Sequence, residues 1–375
     1  MNSGENPGLY VHVPFCKTKC HYCGFYSSID LSGIPRWLDA LREEALLYRH
    51  EFKPFDSLYL GGGTPSVLPE RDLATLMECV HDRFTFLPDS EITLEANPDD
   101  VTESKVSLLR DLGVNRISIG VQSFDEGELA RLGRRHTAKQ AEKVLDVVRS
   151  SGFDNVGIDL MFGLEGQNQD GWLKTLDRAL RFAPDHLSCY QLTIEEGTPF
   201  AAESAERRLR VPGEEEQRSL FLATSAFLEE RGYTHYEVSN FARGRDRFSR
   251  HNCKYWSHVP YLGLGPAAHS FLGGRRWWNV RSVENYCSTI SAGGKPVEGF
   301  EELDEDQIVL ESLMLGFRTR NGVTAELLAC AGGAADTLRQ LEESGLIEIA
   351  GERVCPTPRG FLVADSLPLL FTPCR

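Results

Sequence analysis

The sequence predicts an α/β protein, an open, partial (β/α)6 TIM-like barrel followed by a small winged-helix-like domain. Three observations carry this prediction. Short β-branched or aromatic runs alternate with longer stretches of helical period, the pattern of βα units around a parallel sheet. Polar or glycine-rich residues follow these runs with regularity. After residue 300 the pattern changes to helix, helix, helix, hairpin.

The expected strands are residues 9–13, 57–60, 91–95, 116–121, 155–161 and 186–192. Between them, Leu38, Leu41, Ala45 and Tyr48 trace one helix face, and Ala141, Val144, Leu145 and Val148 another. A cysteine loop follows the first strand, Gly61-Gly62-Gly63-Thr64-Pro65 the second, Asn97-Pro98 the third and Gln122-Ser123 the fourth. In barrel-like α/β folds that end of the sheet carries the active site, so one cavity should collect these loops. A seventh strand at 234–238 is expected at the edge, and six units are too few for a closed eight-fold barrel.

Residues 293–300 run through Gly, Lys, Pro and Glu and read as a linker, dividing a barrel at 1–292 from a C-terminal domain at 300–375. That domain should hold helices at 305–317, 324–330 (capped by Thr324) and 336–344 (stopped by Gly345). A hairpin of 346–349 and 352–355 should turn at Ala350-Gly351. Its third helix carries Asp336, Glu342 and Glu343 against Arg339, so it should repel phosphate and act as a packing or docking lid, not a DNA reader.

A chain of 375 residues can bury a large core and needs no disulfide staples. No apolar run approaches the roughly 20 residues of a membrane span, and residues 1–9 lack a charged segment followed by an apolar one, so a cytoplasmic location is expected. The net charge of −15, from 55 acidic and 40 basic residues, disfavours nucleic acid as a partner. Local basic groups remain at Arg131, Arg134, Arg135 and His136, and at Arg243, Arg245, Arg247 and Arg250. They suit a small carboxylate ligand, although solvated surface arginine is the commoner use.

Cys16, Cys20 and Cys23 form a C-x3-C-x2-C knot, three of ten cysteines within eight residues. Three thiolates so spaced leave one corner of an iron–sulfur cube without a protein ligand, where a small molecule can chelate. Zinc with His12 or His21 as fourth ligand is the competing reading, and chance clustering the third. Glycines 61–63 let backbone approach a ligand closely. Glu95, Gln122, Arg134 and Asp159, at strand ends or in the loops that follow, can pair with an amine, a carboxylate and a ribose.

In these stretches the sequence resembles the radical SAM superfamily, in its coproporphyrinogen III oxidase-like branch, and there the heme chaperones of the HemW group. The resemblance rests on Tyr10 to Cys16, the cysteine loop, Gly61 to Pro65, Glu95 to Pro98, Gly120 to Phe124 and Ile158 to Leu164, and covers essentially the whole chain. It implies a [4Fe–4S] cluster on Cys16, Cys20 and Cys23, with S-adenosylmethionine on the open iron and a 5′-deoxyadenosyl radical on its reduction. It places Tyr10 near the sulfonium, Tyr22 beside the adenine, Gly62, Gly63 and Thr64 at the amino-acid portion, and Glu95, Gln122, Arg134 and Asp159 around the same ligand.

Within the branch, the oxidase motif has a further cysteine two residues beyond the third ligand, where this chain has Phe25, and a longer arm before its cluster. Both differences favour the chaperones, although His21 and Gly24 stand where chaperone sequences often have Pro and Asp. His251-Asn252-Cys253-Lys254-Tyr255-Trp256 resembles the chaperones' H-N-x-x-Y-W motif and implies heme contact by His251, Tyr255 and Trp256. Cys253 is an alternative ligand or an inert thiol, and His269 a further candidate. The implied partners are heme or porphyrin, recipient respiratory hemoproteins and a reducing electron donor. A homodimer and peripheral membrane contact stay open, though no amphipathic or lipidated segment argues for the latter. The other expectations are an oxygen-independent coproporphyrinogen III oxidase, and a metal-stabilised scaffold without turnover.

Overall fold

The computed structural model describes residues 5–330 and 335–371. Six parallel strands follow one another as expected: β1 (Gly8–Val13), β2 (Phe55–Gly62), β3 (Phe86–Ala96), β4 (Arg116–Gln122), β5 (Val156–Phe162) and β6 (His186–Gln191). Helices separate them, each turning an apolar stripe inward. In the first, Ile34–Tyr48, the predicted residues Leu38, Leu41, Ala45 and Tyr48 are buried with Trp37.

The barrel does not close, because other strands take both free edges. β6 pairs antiparallel with β8 (Asn240–Ala242), which pairs with the outermost β7 (Thr234–Glu237), the edge strand expected at 234–238. On the other side, β9 (Tyr261–Leu264) lies parallel to β1. Antiparallel β10 (His269–Leu272), β11 (Arg275–Asn279) and β12 (Val297–Glu302) follow, completing a sheet of twelve strands among the described residues.

One expectation needs correcting here. Residues 293–300 are not a linker, since β12 begins at Val297 and pairs with β11. Its sequence is acidic and mostly exposed, so it lacks the apolar alternation that announces a strand. The smaller C-terminal unit, expected to act as a packing or docking lid, packs at the sheet edge and does not line the cysteine cavity. It holds helices Glu305–Gly316, Ala325–Cys330 and Ala335–Glu343, and a sheet of β13 (Val323–Thr324), β14 (Ile347–Ala350) and β15 (Arg353–Pro356), around its own core of Leu313, Phe317, Leu328 and Val354. Thr324 caps the second helix, accepting from Leu327 N at 3.2 Å. The unit docks on β7: Val238 N donates to Arg318 O at 3.0 Å and Arg320 N to Tyr236 O at 2.9 Å. The sheet edge is thereby covered.

Candidate functional site

The loops at the C-terminal ends of β1 to β6 surround one cavity of about 570 Å³, and Cys16, Cys20 and Cys23 lie on its wall. The cysteine loop folds back on itself: Cys16 N donates to Ser28 O at 3.0 Å and Ser28 N to Pro14 O at 2.7 Å. The glycine loop clamps it from the side, Gly63 N donating to Val13 O and Thr64 N to Phe15 O, both at 2.8 Å. A Cβ at Gly63 would sit 2.7 Å from those two carbonyl oxygens, so only glycine lets the loops meet.

The thiols have directed partners. Thr64 Oγ1 lies 3.2 Å from Cys16 Sγ, and Arg134 Nη1 donates to Cys20 Sγ at 3.4 Å. Burial pushes the Cys16 and Cys23 thiols up. Across the cavity, Tyr59 donates to Glu95 at 2.7 Å, and burial raises the Glu95 carboxyl to about 7. Asp159, raised by burial as well, accepts from Ser118 Oγ at 3.0 Å.

Three polar atoms on the cavity's lining residues are buried without a partner: Asn97 Oδ1, Gln122 Oε1 and Arg134 Nε. Gln122 also holds a left-handed backbone, φ 67°, at an irregularity between β4 and β5. Unpaired donors and acceptors and local strain both cost stability, and sites that bind a polar ligand are where such costs persist. These residues therefore fit the implied ligand with its amine, carboxylate and ribose.

The two histidines of the zinc reading differ. His12 has both ring nitrogens engaged, Nδ1 with Tyr10 Oη at 3.2 Å and Nε2 with Tyr26 O at 3.0 Å. His21 Nδ1 bonds to Arg131 O at 2.9 Å. Among the described residues no three His, Cys, Asp or Glu side chains gather tightly enough for one metal ion.

Of the residues expected around S-adenosylmethionine, Tyr22, Gly62, Gly63, Thr64, Glu95, Gln122, Arg134 and Asp159 all line this cavity, whereas Tyr10 faces a neighbouring one. Not singled out from sequence were Met161 and the run Tyr190 to Thr193, which ends β6 and begins the loop after it, while Asn97 belongs to the loop already expected after β3. The strand-end rule that selected the other loops would have found that run. Of the basic groups singled out from sequence, Arg134 reaches the cavity, and Lys19 of the cysteine loop lines it as well. Arg131 pairs with Glu165 and Glu203, and Arg135 with Asp99 and Asp100.

The three residues expected at heme part company. His251, Tyr255 and Trp256 lie on the short helix Arg250–Trp256, which packs under the opposite, N-terminal ends of β1 and β2. His251 is 1 % exposed, with Nδ1 3.0 Å from Ser57 Oγ and Nε2 2.8 Å from the Tyr255 hydroxyl. Burial lowers its pKa to about 3. Tyr255 faces the cavity that Tyr10 lines, while Trp256 and Cys253 face a cleft toward the C-terminal unit. Burial raises the Cys253 thiol to about 12.

A family model described as the radical SAM superfamily matches residues 10–179, and one described as the HemN C-terminal domain matches 303–363. The chain is 36 % identical to the heme chaperone HemW of Mycobacterium tuberculosis, over 97 % of this chain and 94 % of that one. It is 33 % identical to HemW of Bacillus subtilis, over 96 % and 97 %. It is also 33 % identical to the mitochondrial radical S-adenosyl methionine domain-containing protein 1 of Bos taurus, over 97 % and 86 %. Among solved structures, coproporphyrinogen III oxidase (HemN) of Escherichia coli, described as a radical SAM enzyme, matches with a TM-score of 0.84 at 25 % identity. That match covers 98 % of this chain and 90 % of the oxidase chain.

Proposed function

Since the chain belongs to the radical SAM superfamily and, within it, to the family of the heme chaperones HemW, we propose that it binds heme and hands it to hemoproteins, respiratory ones included. The observation that carries this reading is identity above 30 % along nearly the full length of proteins bearing that name. Phe25 supports it, standing 69 % exposed where the oxidase motif has its extra cysteine.

In this reading Cys16, Cys20 and Cys23 hold a [4Fe–4S] cluster, and the glycine loop with Glu95, Gln122, Arg134 and Asp159 holds S-adenosylmethionine. When bound, the pair supplies reductive cleavage of the sulfonium, with a reducing partner as electron source. Thr64 and Arg134 orient the thiols, and the surrounding loops limit water. Free thiols suit the reduced cytoplasm. No described helix is long and apolar enough to cross a membrane.

The oxidase-like fold match favours a second reading, coproporphyrinogen III oxidase activity. One anaerobic assay separates the two. The chain, reconstituted with iron and sulfide, receives heme or coproporphyrinogen III in parallel. Stoichiometric heme binding with coproporphyrinogen III recovered unchanged is expected; catalytic conversion to protoporphyrinogen IX would overturn the carrier reading. Cys20→Ala should lose most of the bound iron and the 5′-deoxyadenosine formed on reduction; retention of both would refute the cluster assignment.

A further inference from the structure

Beside the cysteine cavity, and sharing Gly24 and Phe25 with it, lies a second cavity of about 550 Å³. Its walls come from segments that no sequence motif joins: Phe25 of the cysteine loop, Tyr255 of helix Arg250–Trp256, Tyr261 of β9, His269 of β10 and Trp278 of β11, with Arg281 beyond. The lining is rich in flat rings. Tyr255 meets Tyr261 edge-on at 4.7 Å, and His269 stacks on Trp278, its antiparallel partner, at 5.9 Å. A planar, largely apolar ligand would cover Phe25 and lie against these rings.

Three histidines lie in or beside this cavity, and their hydrogen bonds distinguish them. His12 and His251 each spend both ring nitrogens on partners inside the protein. His269 is exposed, and among the described residues neither of its ring nitrogens has a hydrogen-bond partner. An imidazole with a free nitrogen is the common axial ligand of heme iron. The tyrosines compete poorly, since burial pushes the Tyr10 and Tyr255 hydroxyls well above their ordinary range and keeps them protonated.

The turn that presents His269 is firmly built. Glu44, wholly buried, accepts from Gly265 N at 2.8 Å, the Tyr286 hydroxyl at 2.6 Å and Asn279 Nδ2 at 2.6 Å. Asn279 Nδ2 also donates to Gly265 O at 2.9 Å. Ala267 is held at φ 59°, a conformation a non-glycine residue keeps only when its surroundings dictate it. Such a turn fixes the direction of the imidazole. Arg281 donates to Gly24 O at 3.2 Å and has further N–H donors for a carboxylate. Glu298, also on the wall, repels an acidic group on its own side.

We infer that heme seats in this second cavity with His269 as an axial ligand to the iron and Arg281 meeting a propionate, while His251 supports the floor through Tyr255 without touching the metal. The assignment rests on the heme-carrier reading and gives it a place in the fold. It also separates the two histidines experimentally. Ferric heme is titrated into the full-length chain, and the Soret band and electron paramagnetic resonance spectrum are followed. His269→Ala should lose the imidazole-ligated spectrum and bind at least tenfold more weakly, and imidazole added to the buffer should restore the spectrum. His251→Ala should keep the wild-type ligation spectrum, and Arg281→Glu should weaken binding several-fold without changing it.

Because His269 is exposed, its alanine variant should match the wild type in circular dichroism and melting temperature. A His269→Ala chain with wild-type spectrum and affinity overturns the site, as does loss of ligation in a His251→Ala chain whose circular dichroism still matches the wild type while His269→Ala keeps its ligation. A wild-type chain that takes up no heme overturns the carrier reading itself, and the site with it.

Discussion

The two ends of the parallel strands are built on opposite terms. At the C-terminal ends, loops enclose a cavity whose residues include unpaired buried polar atoms on Asn97, Gln122 and Arg134 and a strained Gln122. At the N-terminal ends, helix Arg250–Trp256 acts as a plug. Glu91 accepts from Arg250 N and His251 N, each at 3.1 Å, and Lys254 Nζ reaches Asp56 at 2.6 Å and Asn6 O at 2.7 Å. One end keeps unpaired polar atoms around an open cavity; on the plug, His251 and Lys254 spend theirs on the fold, although Trp256 Nε1 there is also buried without a partner. On that plug, both ring nitrogens of the motif's histidine already have partners inside the protein.

The largest effect that tests this contrast is His251→Ala. It strands the hydroxyls of Ser57 and Tyr255 and leaves a void between the rings of Tyr59 and Tyr255, which lie 5.3 and 5.2 Å from the imidazole. A stability loss of about 2–4 kcal/mol is expected in denaturant unfolding, with iron content after reconstitution unchanged. A variant as stable as the wild type would remove the plug from the comparison.

A second test uses two carboxyls, Glu95 in the cavity and Glu44 beneath the His269 turn, both raised to about 7 by burial. For Glu44 the folded value lies above the ordinary 4.5. Its protonated form therefore adds stability that is fully present below about pH 4.5 and is lost as pH rises through about 7. At 1.36 kcal/mol per unit, the loss approaches about 3 kcal/mol. Glu44→Gln has no such titration, so from pH 5 to pH 8 its stability relative to the wild type should improve by up to that amount. Unfolding curves at the two pH values check this; a constant difference would mean that Glu44 is ionised throughout.

Sequence carried much of this molecule, and the exceptions have physical causes. The six βα units were legible because each strand is an apolar run ended by glycine or polar residues, and the C-terminal hairpin because Ala350-Gly351 interrupts two short runs. Strands β9 to β12 were not. Tyr261–Leu264 is four residues long, β12 is acidic and exposed, and the Gly273-Gly274 turn that joins β10 to β11 was the one plain signal. That omission hid the second cavity, which Tyr10 lines. The motif at 251–256 is split between two cavities for a geometric reason. Positions four apart share a helix face, whereas adjacent ones diverge by about 100°, sending Tyr255 and Trp256 to different cavities.

The smallest expected effect is the most direct probe of the strained end. Gln122 holds φ 67° with its amide oxygen buried and unpaired, so the folded chain bears both a backbone and a desolvation cost there. Gln122→Gly relieves both, since glycine adopts that backbone freely and brings no side-chain amide; its looser unfolded chain offsets part of the gain. The expected result is a rise in stability of about 1 kcal/mol together with weaker S-adenosylmethionine binding by the reconstituted protein. Gln122→Ala, which removes the amide but keeps the strained backbone, should weaken binding to a similar degree without the full stability gain. If the glycine variant bound S-adenosylmethionine as the wild type does, the strain at β4 would serve only to turn the chain, and the contrast between the two ends would rest on the unpaired atoms alone.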